Sequence, residues 1–221
     1  MVNREDNYRH KGLRKKLVEA LLHKGIKDKA VLDAIGKLPR HFFLDPSLDY
    51  QAYEDKALPI KADQTISQPY TVAFMTELLK IQKHDKVLEL GTGSGYQAAV
   101  LSLCGANVYT VERQETLFRE SRKLLLSMNF NNIKFFYRDG TKGLPEFAPY
   151  DKIIVTAACN EILQALLDQL APGGMMVIPV GDDSQQMLTV EKSADGKIEK
   201  KIHGDFRFVP FLPGTASSRE R

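Results

Sequence analysis

The residues best placed to do chemistry lie in and around Gly91-Thr92-Gly93-Ser94-Gly95. Glycine tolerates positive φ and lets a ligand approach bare backbone, and a helix that follows offers unpaired N–H groups to a polar ligand. A dinucleotide turn reads G-x-G-x-x-G. Here the run is G-x-G-x-G followed by Tyr96, so that fingerprint fails at its last position, and no G-x-x-x-x-G-K-[ST] phosphate cradle occurs. Glu112 stands about 20 residues beyond the first glycine, where a carboxylate accepts both ribose hydroxyls of an adenosine. Asp139-Gly140 adds a second acid, and Glu89 is the one charged residue in an otherwise apolar stretch. Ser67 precedes Gln68-Pro69, so its hydroxyl is either a helix N-cap, the default for a serine there, or a substrate contact. His41 could act as a base, but beside Phe42 and Phe43 it reads as a packed or capping residue. Cys104 and Cys159 form no C-x-x-C pair and read as small core residues, not as nucleophiles or metal ligands. Neither a metal site nor a Ser-His-Asp triad is indicated.

The surrounding elements must bring these residues together. Residues 87–90 read as a short buried strand, 91–95 as a tight turn and 96–103 as a helix. Strands follow at 107–112, 133–138 and 151–156, with helices at 117–128 and 161–170. Pro172-Gly173-Gly174 then breaks the chain before the strand MMVIPV. Such alternation predicts an α/β fold with a doubly wound, mostly parallel sheet. Its ligands bind beyond the carboxyl ends of the strands, where Gly91, Glu112, Asp139 and Ala157 fall. Residues 186–191 and 197–207 read as two antiparallel strands around Ala194-Asp195-Gly196. Upstream, residues 1–12 are polar and expected to fray or dock late. Leu13, Leu17, Ala20 and Leu21 stripe a helix ending near Gly25, and Asp28 caps a second helix with Val31, Leu32 and Ile35 on its apolar face. Residues 39–59 read as irregular. Gln68-Pro69 opens a helix with Val72, Met75, Leu78 and Leu79 inward. The tail after Pro213 is small and polar. The organisation expected is one domain over residues 1–221, with 1–60 a helical extension and 61–221 the cofactor-binding and catalytic core.

With 221 residues, 43% hydrophobic and 27% charged, the chain has the makings of an ordinary globular core. A formal charge of +3 is too slight to imply a nucleic-acid partner. No apolar N-terminal run suggests a signal peptide or membrane span, so a cytoplasmic protein without membrane partners is expected.

The glycine turn, the acid ending the next strand and Asp139-Gly140 together resemble an S-adenosylmethionine-dependent methyltransferase of Rossmann-like type. The resemblance narrows on LPRHFF, DQTISQP, LELGTGSGYQAAVL, YTVER, RDGTKGLPEFAPYDKIIVTAA, LAPGGMMVIPVG and FRFVPFLPG. With these motifs the chain is similar to the protein-L-isoaspartate O-methyltransferase family over nearly its whole length. The resemblance implies methyl transfer to the α-carboxylate of L-isoaspartyl residues in damaged proteins, initiating repair through a succinimide, with S-adenosylhomocysteine as the cofactor product. It makes Ser67 the active-site serine, with Thr65 and Ile66 beside it against the cofactor. Glu89 and the turn glycines Gly91, Gly93 and Gly95, with Thr92, would contact the cofactor's methionine part, Glu112 its ribose, and Asp139 and Gly140 its adenine edge. Arg207 and Val209 would lie along the substrate peptide. The expected partners are isoaspartyl proteins and peptides, met by a monomer.

The acceptor chemistry agrees. A carboxylate is ionised at neutral pH, so alignment matters more than a base, and Ser67 would orient it by a hydrogen bond. Two rivals remain: a methyltransferase for nucleic acid, a small molecule or another carboxylate on the same fold, and a binding module without catalysis. The segment VTAACN stands where base N-methylation commonly needs an Asn/Asp-Pro-Pro-aromatic run, which disfavours the nucleic-acid reading.

Overall fold

A computed structural model describes residues 5–217. The expectations of a frayed start and a polar tail lie outside the described residues for 1–4 and 218–221. Helix α1 (Tyr8–His23) starts earlier than expected, because the Asn7 side chain accepts from the His10 N–H and closes a capping box. Leu17 and Leu21 are buried as anticipated, whereas Ala20 is exposed and Arg14 takes a buried place on the helix. Asp28 caps α2 (Lys29–Lys37) through the Ala30 and Val31 N–H groups. The irregular stretch that follows holds two 3-10 segments, Arg40–Phe43 and Pro46–Gln51.

A short hairpin comes next, β1 (Leu58–Pro59) paired antiparallel with β2 (Thr65–Ile66). Its turn places Ala62 and Asp63 at positive φ. Helix α3 (Pro69–Leu79) begins with proline at its first position, where no N–H is needed.

The main sheet comprises β3 (Lys86–Leu90), β4 (Asn107–Glu112), β5 (Ile133–Tyr137), β6 (Tyr150–Val155), β7 (Leu170–Val180), β8 (Gln185–Lys192) and β9 (Ile198–Phe206). Its order is β5-β4-β3-β6-β7-β8-β9, parallel from β5 to β7 and antiparallel from β7 to β9. From β3 the chain winds outward to β4 and β5, then returns to β6 on the other side of β3. The switch point therefore falls between β3 and β6, the position where open α/β sheets bind ligands.

Helices α4 (Tyr96–Leu103) and α5 (Glu115–Ser127) pack with α1 to α3 against the sheet face that carries Val87, Ile154 and Val177. The opposite face, with Leu88, Leu90, Ile153 and Met176, is covered by α6 (Gln164–Gln169) and the 3-10 segments near residue 145. The helix expected over 161–170 is thus only six residues long. The expected break at Pro172-Gly173-Gly174 lies inside β7, whose register against β6 shifts between Tyr150 and Lys152. Among the described residues no helix is long and apolar enough to cross a membrane.

Candidate active site

The glycine turn is pinned from two sides. The Gly91 and Thr92 N–H groups both donate to the Val111 carbonyl at the end of β4, and the Thr156 hydroxyl donates to the carbonyls of Leu90 and Gly91. Gly91 sits at φ +98°, and a Cβ there would collide with the Thr156 hydroxyl. The third glycine has a different task. Gly95, at φ +87°, heads α4, and a Cβ on it would come within 2.8 Å of Leu125 Cδ1 on α5. Gly95 does not line the cavity; it lets two helices approach.

That cavity opens at the switch point. Of the residues expected at the site, Thr65, Ile66, Ser67, Gly91, Thr92, Gly93, Glu112, Gly140 and Val209 line it together. Glu112 is 4% exposed, and its Oε2 and Oε1 accept from the Gly93 and Gln114 N–H groups, each at 2.8 Å. Burial raises its pKa, although these backbone donors pull the other way. These two bonds and a third from the Arg113 N–H leave part of the carboxylate's acceptor capacity for a ligand hydroxyl.

Glu89 departs from expectation, because it does not line the cavity. Strand alternation turns it with Val87 toward the helical layer, and parallel register sets it beside Thr110. The Thr110 hydroxyl donates to Glu89 Oε2 at 2.5 Å and lies 2.5 Å from the Thr92 hydroxyl, so Glu89 reaches the cavity wall only through two threonines. Its Oε1 is buried without a hydrogen-bond partner, and burial pushes its pKa up to about 8.

Asp139 is likewise not a wall residue. Its Oδ1 accepts from the Thr141 N–H and its Oδ2 from the Gly214 N–H. Burial alone would raise this carboxyl, but those donors outweigh it and hold the group below its usual value. Asp139 thereby anchors a C-terminal strap. The Ala158 N–H donates to the Val209 carbonyl, the Phe211 N–H to the Ala158 carbonyl, and the Arg113 guanidinium to the Pro213 and Gly214 carbonyls. Residues Val209 to Leu212 form part of the cavity wall. Of this strap the sequence pointed to Val209 alone; Pro210, Phe211 and Leu212 were missed, as were Gln64, Arg113 and Thr156. The motif FVPFLPG was the available signal.

Ser67 follows directly on β2. The cap it was expected to supply comes instead from Asp55, whose Oδ1 accepts from the Tyr70 N–H at 2.8 Å and whose Oδ2 accepts from Gln68 Nε2 and Lys24 Nζ. Among the described residues the Ser67 hydroxyl has no hydrogen-bond partner. Ser67, Thr65, Thr156 and Val209 also line a second groove that runs on to Arg207. The serine thus stands on the border between the two spaces. His41 lines neither. It is buried, stacked on His10 at 3.8 Å, with Nδ1 2.7 Å from the Tyr53 hydroxyl, as a packed residue should be. Cys104 ends α4 and Cys159 is buried beside β7; burial pushes both thiols up to about 12, away from the reactive thiolate.

A glycine turn between β3 and α4, an acid at the end of β4 and a cavity at the switch point define the class of S-adenosylmethionine-dependent methyltransferases. Comparison with known proteins narrows the class. The chain belongs to the family described as Protein-L-isoaspartate(D-aspartate) O-methyltransferase, which matches residues 12–216. A protein-L-isoaspartate O-methyltransferase of Christiangramia forsetii is 55% identical over 209 residues, covering 94% of this chain and 98% of the relative. One from Dictyoglomus thermophilum is 50% identical over 204 residues, 92% of this chain and 91% of the relative. A solved protein-L-isoaspartate O-methyltransferase matches with a TM-score of 0.81 and 31% identity, over 89% of this chain and 65% of that longer one. A putative one from Plasmodium falciparum, in complex with S-adenosyl-L-homocysteine, matches in fold with a TM-score of 0.79 at 24% identity, over 90% of this chain and 98% of that one.

Proposed function

We infer that the chain transfers the methyl group of S-adenosylmethionine to the α-carboxylate of L-isoaspartyl residues, with the cavity holding the donor and the groove beyond Ser67 holding the damaged peptide. The activity follows from family membership. The division of labour among residues rests on geometry, and one observation carries it: Asp55 caps α3, which leaves the Ser67 hydroxyl free at the border of cavity and groove. The residues present suit the donor. Glu112 keeps lone pairs for ribose hydroxyls, and the turn offers bare backbone at Gly93.

The donor supplies a methyl group on a sulfonium, which is its own leaving group. The Ser67 hydroxyl would donate to one carboxylate oxygen of the substrate and orient that group at the border of cavity and groove. The carboxylate would be the methyl acceptor, and since it is already ionised no residue of the chain has to remove a proton from it. The resulting ester can close to a succinimide with loss of methanol, and hydrolysis of the ring returns some normal aspartyl product. Arg207 and Val209 flank the peptide. We read the enzyme as a cytoplasmic monomer that acts on proteins and not on nucleic acid, to be checked by sedimentation and by competition with RNA.

The decisive test offers labelled S-adenosylmethionine with paired peptides that differ only in aspartyl or isoaspartyl linkage. Label should enter the isoaspartyl member alone; equal labelling of both overturns the reading. Ser67→Ala should cut turnover strongly while S-adenosylhomocysteine binding stays within about twofold. A loss of about 1 kcal/mol in stability with unchanged turnover would instead mark Ser67 as a cap.

A further inference from the structure

The groove beyond Ser67 has a wall that methyl transfer itself does not use. Tyr70 and Phe206 line it, and both stack on Phe74, at 5.6 Å with interplanar angles of 17° and 19°. His203, also on the groove, meets Phe74 edge-on, and its Nε2 lies 2.9 Å from the Thr189 hydroxyl, which fixes the ring. The four rings come from α3 and β9, and each of the three groove residues is half-buried, so their faces are held in place yet reachable.

We propose that this aromatic wall is a subsite for an apolar or aromatic side chain on a residue flanking the isoaspartyl linkage, and that His203 and Tyr70 set the preference for it. The inference rests on the carboxyl methyltransferase reading. The occupant is a substrate side chain because the groove is continuous with the reaction site: it shares Thr65, Ser67, Thr156 and Val209 with the donor cavity. A peptide whose carboxylate meets Ser67 must therefore lead its neighbouring residue along Tyr70 or β9. Rigid stacked rings reward an apolar partner by removing area from water and cost little ordering. Burial from β9 and the nearby Lys201 keep His203 toward its neutral form, which suits an uncharged partner.

The test is a panel of isoaspartyl peptides carrying Ala, Leu, Phe or Lys at each of the two positions on either side of the linkage, with kcat/KM as readout. At one position Leu and Phe should exceed Ala by roughly fivefold to tenfold. Tyr70→Ala combined with His203→Ala should bring that ratio to within about twofold of unity. His203→Asp, at an exposed edge strand where folding is least at risk, should shift the preference from Leu toward Lys at the same position. A flat profile in the unaltered enzyme, or a preference that survives these variants, overturns the proposal. If the Ala-flanked isoaspartyl peptide is itself not methylated, the failure lies in the parent reading, and the subsite falls with it.

Discussion

Arg14 in the helical cap and Glu112 at the carboxyl end of the sheet are about equally shielded, 6% and 4% exposed, yet their surroundings differ in kind. Arg14 donates through Nη1 and Nη2 to both oxygens of Asp6, through Nη1 to Tyr53 and through Nε to the Gly36 carbonyl. The Asp6 hydrogen bond raises the Arg14 pKa, and the same contact lowers that of Asp6. His10 meets Asp49 at 3.0 Å in the same cap. Glu112 and Glu89 form no ion pair among the described residues; backbone N–H groups and a threonine hydroxyl hold them, the Arg113 guanidinium acts on Glu112 only through space, and burial raises both carboxyls. The cap pairs its buried charge and becomes structure. At the sheet end Glu112 keeps acceptor sites open toward the cavity, which suits a donor with ribose hydroxyls. Arg40 is the cap's exception: fully buried, over the Tyr96 ring at 5.0 Å, with Nε and Nη1 unpartnered among the described residues.

The largest effect expected from breaking this contrast belongs to Glu89. Its folded pKa, about 8, lies above the unfolded value, so the folded state binds a proton that the unfolded state releases. Stability from this group is present at low pH, declines as pH rises above about 4.5, and is lost by about pH 8, a span worth on the order of 4 kcal/mol. Urea unfolding of the ligand-free protein at pH 5, 6.5 and 8.5 should show Glu89→Gln gaining on the unaltered chain as pH rises; parallel profiles would contradict the assignment. Next comes Arg14→Met, which orphans Asp6, Tyr53 and Gly36 and should cost about 3 kcal/mol, or roughly 6–12 °C in Tm, with S-adenosylhomocysteine affinity unchanged by calorimetry. Glu112→Gln removes charge while keeping an acceptor. Calorimetry should find the same ligand bound at least about tenfold more weakly, with Tm little moved. The smallest change is Asp28→Ala. Loss of the α2 cap should lower stability by about 1 kcal/mol and leave turnover alone, as measured by melting and initial rate.

What could be read in the sequence was mostly local. The glycine turn, the acid ending β4 and the helix opened by Pro69 are each fixed by neighbours in the chain, and the structure has them where spacing put them. Glu89, Gly95 and Asp139 are at the right depth in sequence but do not line the cavity. Spacing reports the end of a strand but not which side chains wall the cavity: alternation turns Glu89 with Val87 into the helical layer, where it meets Thr110. The cap on α3 illustrates the other limit. A serine before Gln68-Pro69 reads as its own N-cap, and the competitor, Asp55, arrives from an irregular stretch with no periodicity to announce it. The β1–β2 hairpin, two residues to a strand, is too short to leave an alternating pattern. The strap is held by pairs such as Gln114 with Ala216, which join segments a hundred residues apart.

That strap bears on the order in which the molecule is made. During synthesis the glycine turn, Glu112 and Thr156 all leave the ribosome before the wall residues Val209 to Leu212 exist. A nascent chain can complete its sheet through β7 and still lack one side of the donor cavity. Fragments truncated near residue 208 would be silent in the same way, although they keep every motif of the glycine turn. Competence for methyl transfer is therefore acquired late, when the strap crosses the finished sheet and Asp139 takes hold of Gly214.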